Sequence, residues 1–114
     1  MILIIDDEPA LLTALSRIFT RRGEVALTAE TVGQAVDAVL TFGGEISAIV
    51  CDWNLPDGVG EHVYDGLPPE LRERFVLFSS DPQGIAHMTH RGVTAVFKPG
   101  IQDVVEAALT KAWS

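Results

Sequence analysis

Five short apolar runs recur along this chain, at residues 2 to 5 (ILII), 25 to 29 (VALTA), 46 to 51 (ISAIVC), 75 to 78 (FVLF) and 93 to 97 (VTAVF). Each has the length of a strand, and most are apolar throughout instead of alternating, as strands covered on both faces are. Between the runs the apolar spacing changes to a helical period. Leu11, Leu12, Leu15, Ile18 and Phe19 form one stripe that stops at Gly23, a residue suited to the turn that ends a helix. Val32, Ala35, Val36, Val39 and Leu40 form a second, opened by Thr31 and Gln34 in the spacing of a capping box. A last stripe, from about residue 102 to 113, has Asp103 near its start and turns Val105, Ala108, Leu109 and Ala112 inward. The two middle helices are predicted to be short, because Gly66, Pro68 and Pro69 interrupt one and few residues remain for the other. Strands that alternate with helices in this way predict a parallel sheet with helices on both faces, a three-layer α/β sandwich.

The 114 residues are 47% hydrophobic and 21% charged, enough to fill one core, so residues 1–114 read as one domain and not as a disordered chain. Sixteen Asp and Glu against 8 Lys and Arg leave a net charge of -8, and Lys98 and Lys111 are the only lysines. That balance speaks against direct nucleic-acid binding, which needs a basic surface to displace counterions. Cys51, the one cysteine, has no partner for an intramolecular disulfide, and the opening MILIIDDEP lacks a basic stretch followed by a long apolar one. No apolar run is long enough to span a bilayer. A cytoplasmic location without membrane insertion is the expectation.

In open parallel sheets the site forms at the carboxyl ends of the strands. Here those ends are polar: Asp6, Asp7 and Glu8 after the first run, Asp52 after the third, Ser79 and Ser80 after the fourth, Lys98 and Pro99 after the fifth. Carboxylates gathered at one edge repel one another, and a hard divalent cation such as Mg2+ relieves that repulsion while keeping waters that a phosphate can replace. Asp7 and Asp52 are candidate ligands. Lys98 suits pairing with a carboxylate or with phosphoryl oxygens, and a serine hydroxyl suits donation to a phosphoryl oxygen. The chemistry this set suggests is phosphoryl transfer onto aspartate.

DDEP after the first run, DWNLPDGVG after the third, FSSD after the fourth and FKPG after the fifth together resemble a response regulator receiver domain, over the whole chain. The resemblance implies a flavodoxin-like five-stranded parallel sheet of order 2-1-3-4-5. It implies that Asp52 accepts a phosphoryl group from a phosphohistidine on a histidine kinase or histidine phosphotransfer protein. Asp7 would be a direct Mg2+ ligand, Asp6 would act through water, and Asn54 would lend its backbone carbonyl. Ser79 would be the switch hydroxyl, with Ser80 as the alternative one residue on. Lys98 would pair with the site, and the bond to Pro99 would be cis.

The chain also departs from that pattern. Ala95 stands where the family often has an aromatic ring that reports phosphorylation, a ring that Phe97, two residues on along the same strand face, is placed to replace in part, and Gly100 follows the Lys-Pro pair where an aromatic is common. Hence a second reading, a receiver-like module that binds partners without being phosphorylated. A Mg2+-dependent phosphohydrolase needs a substrate pocket for which so small a domain leaves little room. A flavin-binding reading lacks a phosphate loop after the first run. His87 and His90 read as a solvated helix face, Cys51 as a core residue, and Trp53 as a border of the site.

Overall fold

The computed structural model describes residues 1–114. Every residue of β1 (Ile2–Ile5) and β3 (Ala48–Cys51) is buried, because these strands lie inside a parallel sheet whose two faces are both covered. They are flanked by β2 (Ala26–Ala29) on one side and, on the other, by β6 (Phe75–Ser79) and then β7 (Thr94–Phe97). The order β2-β1-β3-β6-β7 is the expected 2-1-3-4-5 once a small antiparallel hairpin, β4 (Asn54–Leu55) with β5 (Gly58–Val59), is set aside.

Strand alternation divides the core in two. Leu3, Ile5, Ile49, Cys51, Phe75 and Leu77 point to one face, and Ile2, Ile4, Ala48, Val50, Val76 and Phe78 to the other. The second face is covered by Leu12, Leu15 and Phe19 of α1 (Pro9–Arg21) and by Val104, Val105, Ala108 and Leu109 of α6 (Ile101–Ala112). The first is covered by α2 (Val32–Phe42), α3 (Gly60–Asp65), α4 (Pro69–Arg72) and α5 (Pro82–His90) through Ala35, Val63, Leu71, Ile85 and Met88. This is the three-layer sandwich the periodicities predict.

Helix ends follow local chemistry. Past α1, Gly23 takes φ +86, a left-handed conformation that a side chain strains against, so α1 stops where its apolar stripe does. At α2 the Thr31 hydroxyl accepts from the Gln34 amide at 3.0 Å, as the box requires, but Gln34 Oε1 accepts from the amide of Glu30 instead of Thr31. The segment predicted to be broken by Gly66, Pro68 and Pro69 is broken into α3 and α4, since proline cannot donate within a helix. Three strands begin later than their apolar runs: Val25 is exposed ahead of β2, while Ile46 and Val93 are buried ahead of β3 and β7 but outside them. The hairpin β4–β5 has no apolar run of its own, so apolar spacing does not reveal it.

Candidate functional site

The expected strand-end residues do meet. Asp6 follows β1 and Asp52 follows β3, adjacent strands in register from Ile2 opposite Ala48 to Ile5 opposite Cys51, so parallel pairing sets the two carboxylates side by side. The Asp52 amide donates to the Ile5 carbonyl at 2.9 Å, extending the ladder by one residue. Carboxylate oxygens of Asp6, Asp7 and Asp52 lie within 4.8 Å of one another. Asp6 and Asp52 are buried and Asp7 is exposed.

Lys98, just past β7, reaches across the sheet edge. Its Nζ donates to Asp6 Oδ2 at 2.8 Å and Asp52 Oδ2 at 3.0 Å, with Glu8 Oε1 at 3.5 Å. The remaining oxygens of the buried pair are also engaged: Asp6 Oδ1 accepts from the Glu8 amide at 2.9 Å and Asp52 Oδ1 from the Trp53 amide at 2.6 Å. Asp7 takes no hydrogen bond from the protein, so its carboxylate is free for a ligand. Burial pushes the Asp6 carboxyl above the ordinary aspartate range, and the hydrogen bonds from Lys98 and Glu8 offset that only in part. Burial also pulls the Lys98 ammonium down, but hydrogen bonds and attraction from Asp6 and Asp52 outweigh it and hold Lys98 above the usual lysine value.

One ammonium among three carboxylates leaves the cluster negative. Two unit charges about 5 Å apart at an effective dielectric near 20 repel by roughly 3 kcal/mol, so a cation is favoured there. The donors are all hard oxygens, one side is open at Asp7, and no soft ligand is present, since Cys51 is buried beneath with its Sγ donating to the Asp52 carbonyl. Burial, and then Asp52 and Asp6, push that thiol well up, which suits the core reading. The set fits Mg2+.

Ser79 ends β6 fully buried, its Oγ accepting from the Asp81 amide at 3.1 Å, while Ser80 is exposed. The Ser79 carbonyl accepts from the Lys98 amide at 2.9 Å, which fixes the lysine backbone at the site. The Lys98–Pro99 bond is cis. Asn54 is exposed, and its Nδ2 donates to Asp81 Oδ2 at 3.3 Å. Ala95 packs against the α2-side core, but Phe97 is 53% exposed and fills no slot in it.

Other residues that shape the site escaped sequence reasoning. Asp57, in the turn between β4 and β5, accepts from the amides of Val32 at 2.7 Å and Gly33 at 3.0 Å, and so caps the start of α2 from a distance. Asp81 caps α5 through the amides of Gln83 and Gly84, and its place before Pro82 is a readable signal. Gly60 carries the loop back over Asp52: its amide donates to the Trp53 carbonyl at 2.8 Å, and a Cβ there would collide with the Asp52 carbonyl oxygen. His87 is not merely solvated, because its Nε2 pairs with Glu61 and its ring lies 5.7 Å from that of Trp53.

No protein-family model and no curated protein matches the sequence. Solved structures do match. A response regulator receiver domain protein from Clostridium thermocellum superposes with a TM-score of 0.86 at 19% identity, over 97% of this chain and 92% of that one. A CheY-like response regulator receiver domain protein from Methanospirillum hungatei gives 0.81 at 22% identity, over 97% and 91%. This chain has the receiver-domain fold. A third receiver-fold neighbour, the response regulator protein TrrA from Thermotoga maritima, was solved in complex with Mg2+-BeF and gives 0.79 at 20% identity, over 97% and 96%. No helix of the present chain is long and apolar enough to cross a membrane.

Proposed function

We propose that this chain is a two-component signal receiver that takes a phosphoryl group onto Asp52 in a Mg2+-dependent reaction and changes its affinity for a partner accordingly. The observation that carries the reading is the Asp52 carboxylate held between Lys98 and the Asp6–Asp7 pair at the carboxyl edge of a receiver-fold sheet. A carboxylate oxygen of Asp52 attacks phosphorus in line with the leaving group; the new O–P bond forms as the donor's bond breaks. For a phosphohistidine on a histidine kinase or phosphotransfer protein, the bond that breaks is N–P, and its electron pair stays on the imidazole.

Asp7, Asp52 and the backbone carbonyl of Asn54 would hold Mg2+, with Asp6 acting through water. Bound there, the ion would supply positive charge that offsets the charge gathering on the phosphoryl oxygens. Lys98 leaves Asp52 Oδ2 for a phosphoryl oxygen, exchanging one charge-assisted hydrogen bond for another. Ser79 Oγ, already buried at the end of β6, donates to a second oxygen. Its burial favours it over Ser80.

Intact mass after incubation with acetyl phosphate tests this. A gain of one phosphate that needs Mg2+ and is absent from Asp52→Asn is expected. No gain in a protein that folds and binds Mg2+ would instead favour a module that engages partners without phosphorylation, the reading that Ala95 and Gly100 motivate and that the exposure of Phe97 supports.

A further inference from the structure

The Trp53 amide donates to Asp52 Oδ1 at 2.6 Å, and the indole of the same residue lies against α5. Two independent contacts define that packing. A Cβ on Gly84 would collide with the indole ring, so helix and ring approach as closely as glycine allows. His87, one turn further along α5, is tilted 59° against the ring, and its Nε2 pairs with Glu61 at the start of α3. Glu61 and Asp65 in turn hold Arg91 at 2.7 Å and 2.9 Å, with the guanidinium 4.9 Å from the centre of the Tyr64 ring. A continuous set of contacts therefore joins the acceptor carboxylate to the α3–α5 face, while β7 offers Ala95 and an exposed Phe97.

We infer that Trp53 transmits the state of Asp52 to α5, so that the α3–α5 face carries the conformational readout. The inference rests on phosphorylation of Asp52 as proposed above. As a carboxylate, Asp52 shares its negative charge over both oxygens, and the Trp53 amide donates to an ionised acceptor. Once one oxygen is bonded to phosphorus, the other is a neutral carbonyl oxygen. Whichever of the two is Oδ1, it accepts more weakly, and the restraint on the Trp53 backbone loosens. The ring cannot move independently of α5, because no gap separates it from Gly84. A shift of Trp53 moves α5 against α3 and alters the Glu61–His87 and Glu61–Arg91 pairs.

Amide chemical shifts of the full chain, with Mg2+, before and after acetyl phosphate, test the coupling, with phosphate occupancy read by intact mass on the same samples. In the unmodified chain, phosphorylation is expected to shift the amides of Gly84 to Met88 and of Glu61. Trp53→Leu removes the ring, and Gly84→Ala displaces it from the other side. At equal phosphate occupancy each is expected to lose most of the α5 shifts while keeping those around Lys98. Trp53→Phe retains an aromatic lever and is expected to keep a large part of them. Full α5 shifts in phosphorylated Trp53→Leu or Gly84→Ala would overturn the lever and leave the phosphoacceptor reading intact. An unmodified chain that gains no phosphate would overturn that reading, and the lever with it.

Discussion

Lys98 Nζ sits 3.0 Å from Asp52 Oδ2 although 46 residues separate the two along the chain. Both sides of this pair are mostly buried, and Asp6 shares the same ammonium at 2.8 Å. Lys98→Met would therefore leave two buried carboxylates facing each other without a cation. Breaking such a pair costs more than an exposed one, here about 1–3 kcal/mol. Urea denaturation should show that loss, and added Mg2+ should restore more stability to the variant than it adds to the parent. Equal Mg2+ effects on both would contradict the account of the cluster.

Asp7 adds negative charge to that cluster while receiving no hydrogen bond from the protein. Asp7→Asn should raise the melting temperature in chelator, by relieving repulsion, and abolish most of the Mg2+-dependent rise. For the parent, Mg2+ at ten times its dissociation constant should add roughly 1.4 kcal/mol. A melting curve in the two conditions reads both effects.

The same Leu→Ala change should have very unequal consequences at two positions. Leu15 is fully buried under the α1–α6 side of the sheet, so Leu15→Ala is expected to cost about 2–5 kcal/mol. Leu40 on α2 is 80% exposed, and Leu40→Ala should stay within about 0.5 kcal/mol. Comparable losses at both sites would contradict the burial assignment of α2.

Gly60→Ala places a Cβ into the Asp52 carbonyl oxygen, a backbone atom that cannot swing aside. The variant should be destabilised by about 1–3 kcal/mol and, under the proposed function, should accept phosphate more slowly, because the Asp52 loop must shift. Unchanged stability together with an unchanged phosphorylation time course would show that the loop has more slack than its contacts imply.

Acid should destabilise the fold through three capping or paired carboxylates. Hydrogen bonds from the amides of Gly33 and Val32 lower Asp57, those from His87 and Arg91 lower Glu61, and that from Gly84, followed by those from Asn54 and Gln83, lowers Asp81. A carboxylate with a depressed folded-state pKa contributes stability that is present above its unfolded value and lost as pH falls through the folded one. The unfolded references are 4.5 for Glu61 and 3.8 for the two aspartates, so the loss begins below about pH 4.5. Asp6, whose carboxyl is raised, works with the opposite sign and adds stability as pH falls through its folded value. Asp57→Asn should flatten the acid limb of a stability profile; an unaltered limb would remove Asp57 from the account.

The sequence by itself determined the five parallel strands, the main helices and the residues at the strand ends. Those features repeat with the period of a single element, so apolar spacing, Gly23, Thr31 and the prolines at 68 and 69 are enough to reveal them. It also placed Asp6, Asp7, Asp52 and Lys98 on one edge, because parallel strands share a direction and their carboxyl ends must coincide. Only tertiary structure decided what no local period encodes. Asp57 caps α2 from 25 residues away, His87 leans on Trp53 and pairs with Glu61 while staying half exposed, Ser79 is buried and Ser80 is not, and Phe97 stays on the surface. Each of these depends on how far one element slides against another before its side chains lock. That distance is set by close packing across the sheet and not by neighbours along the chain.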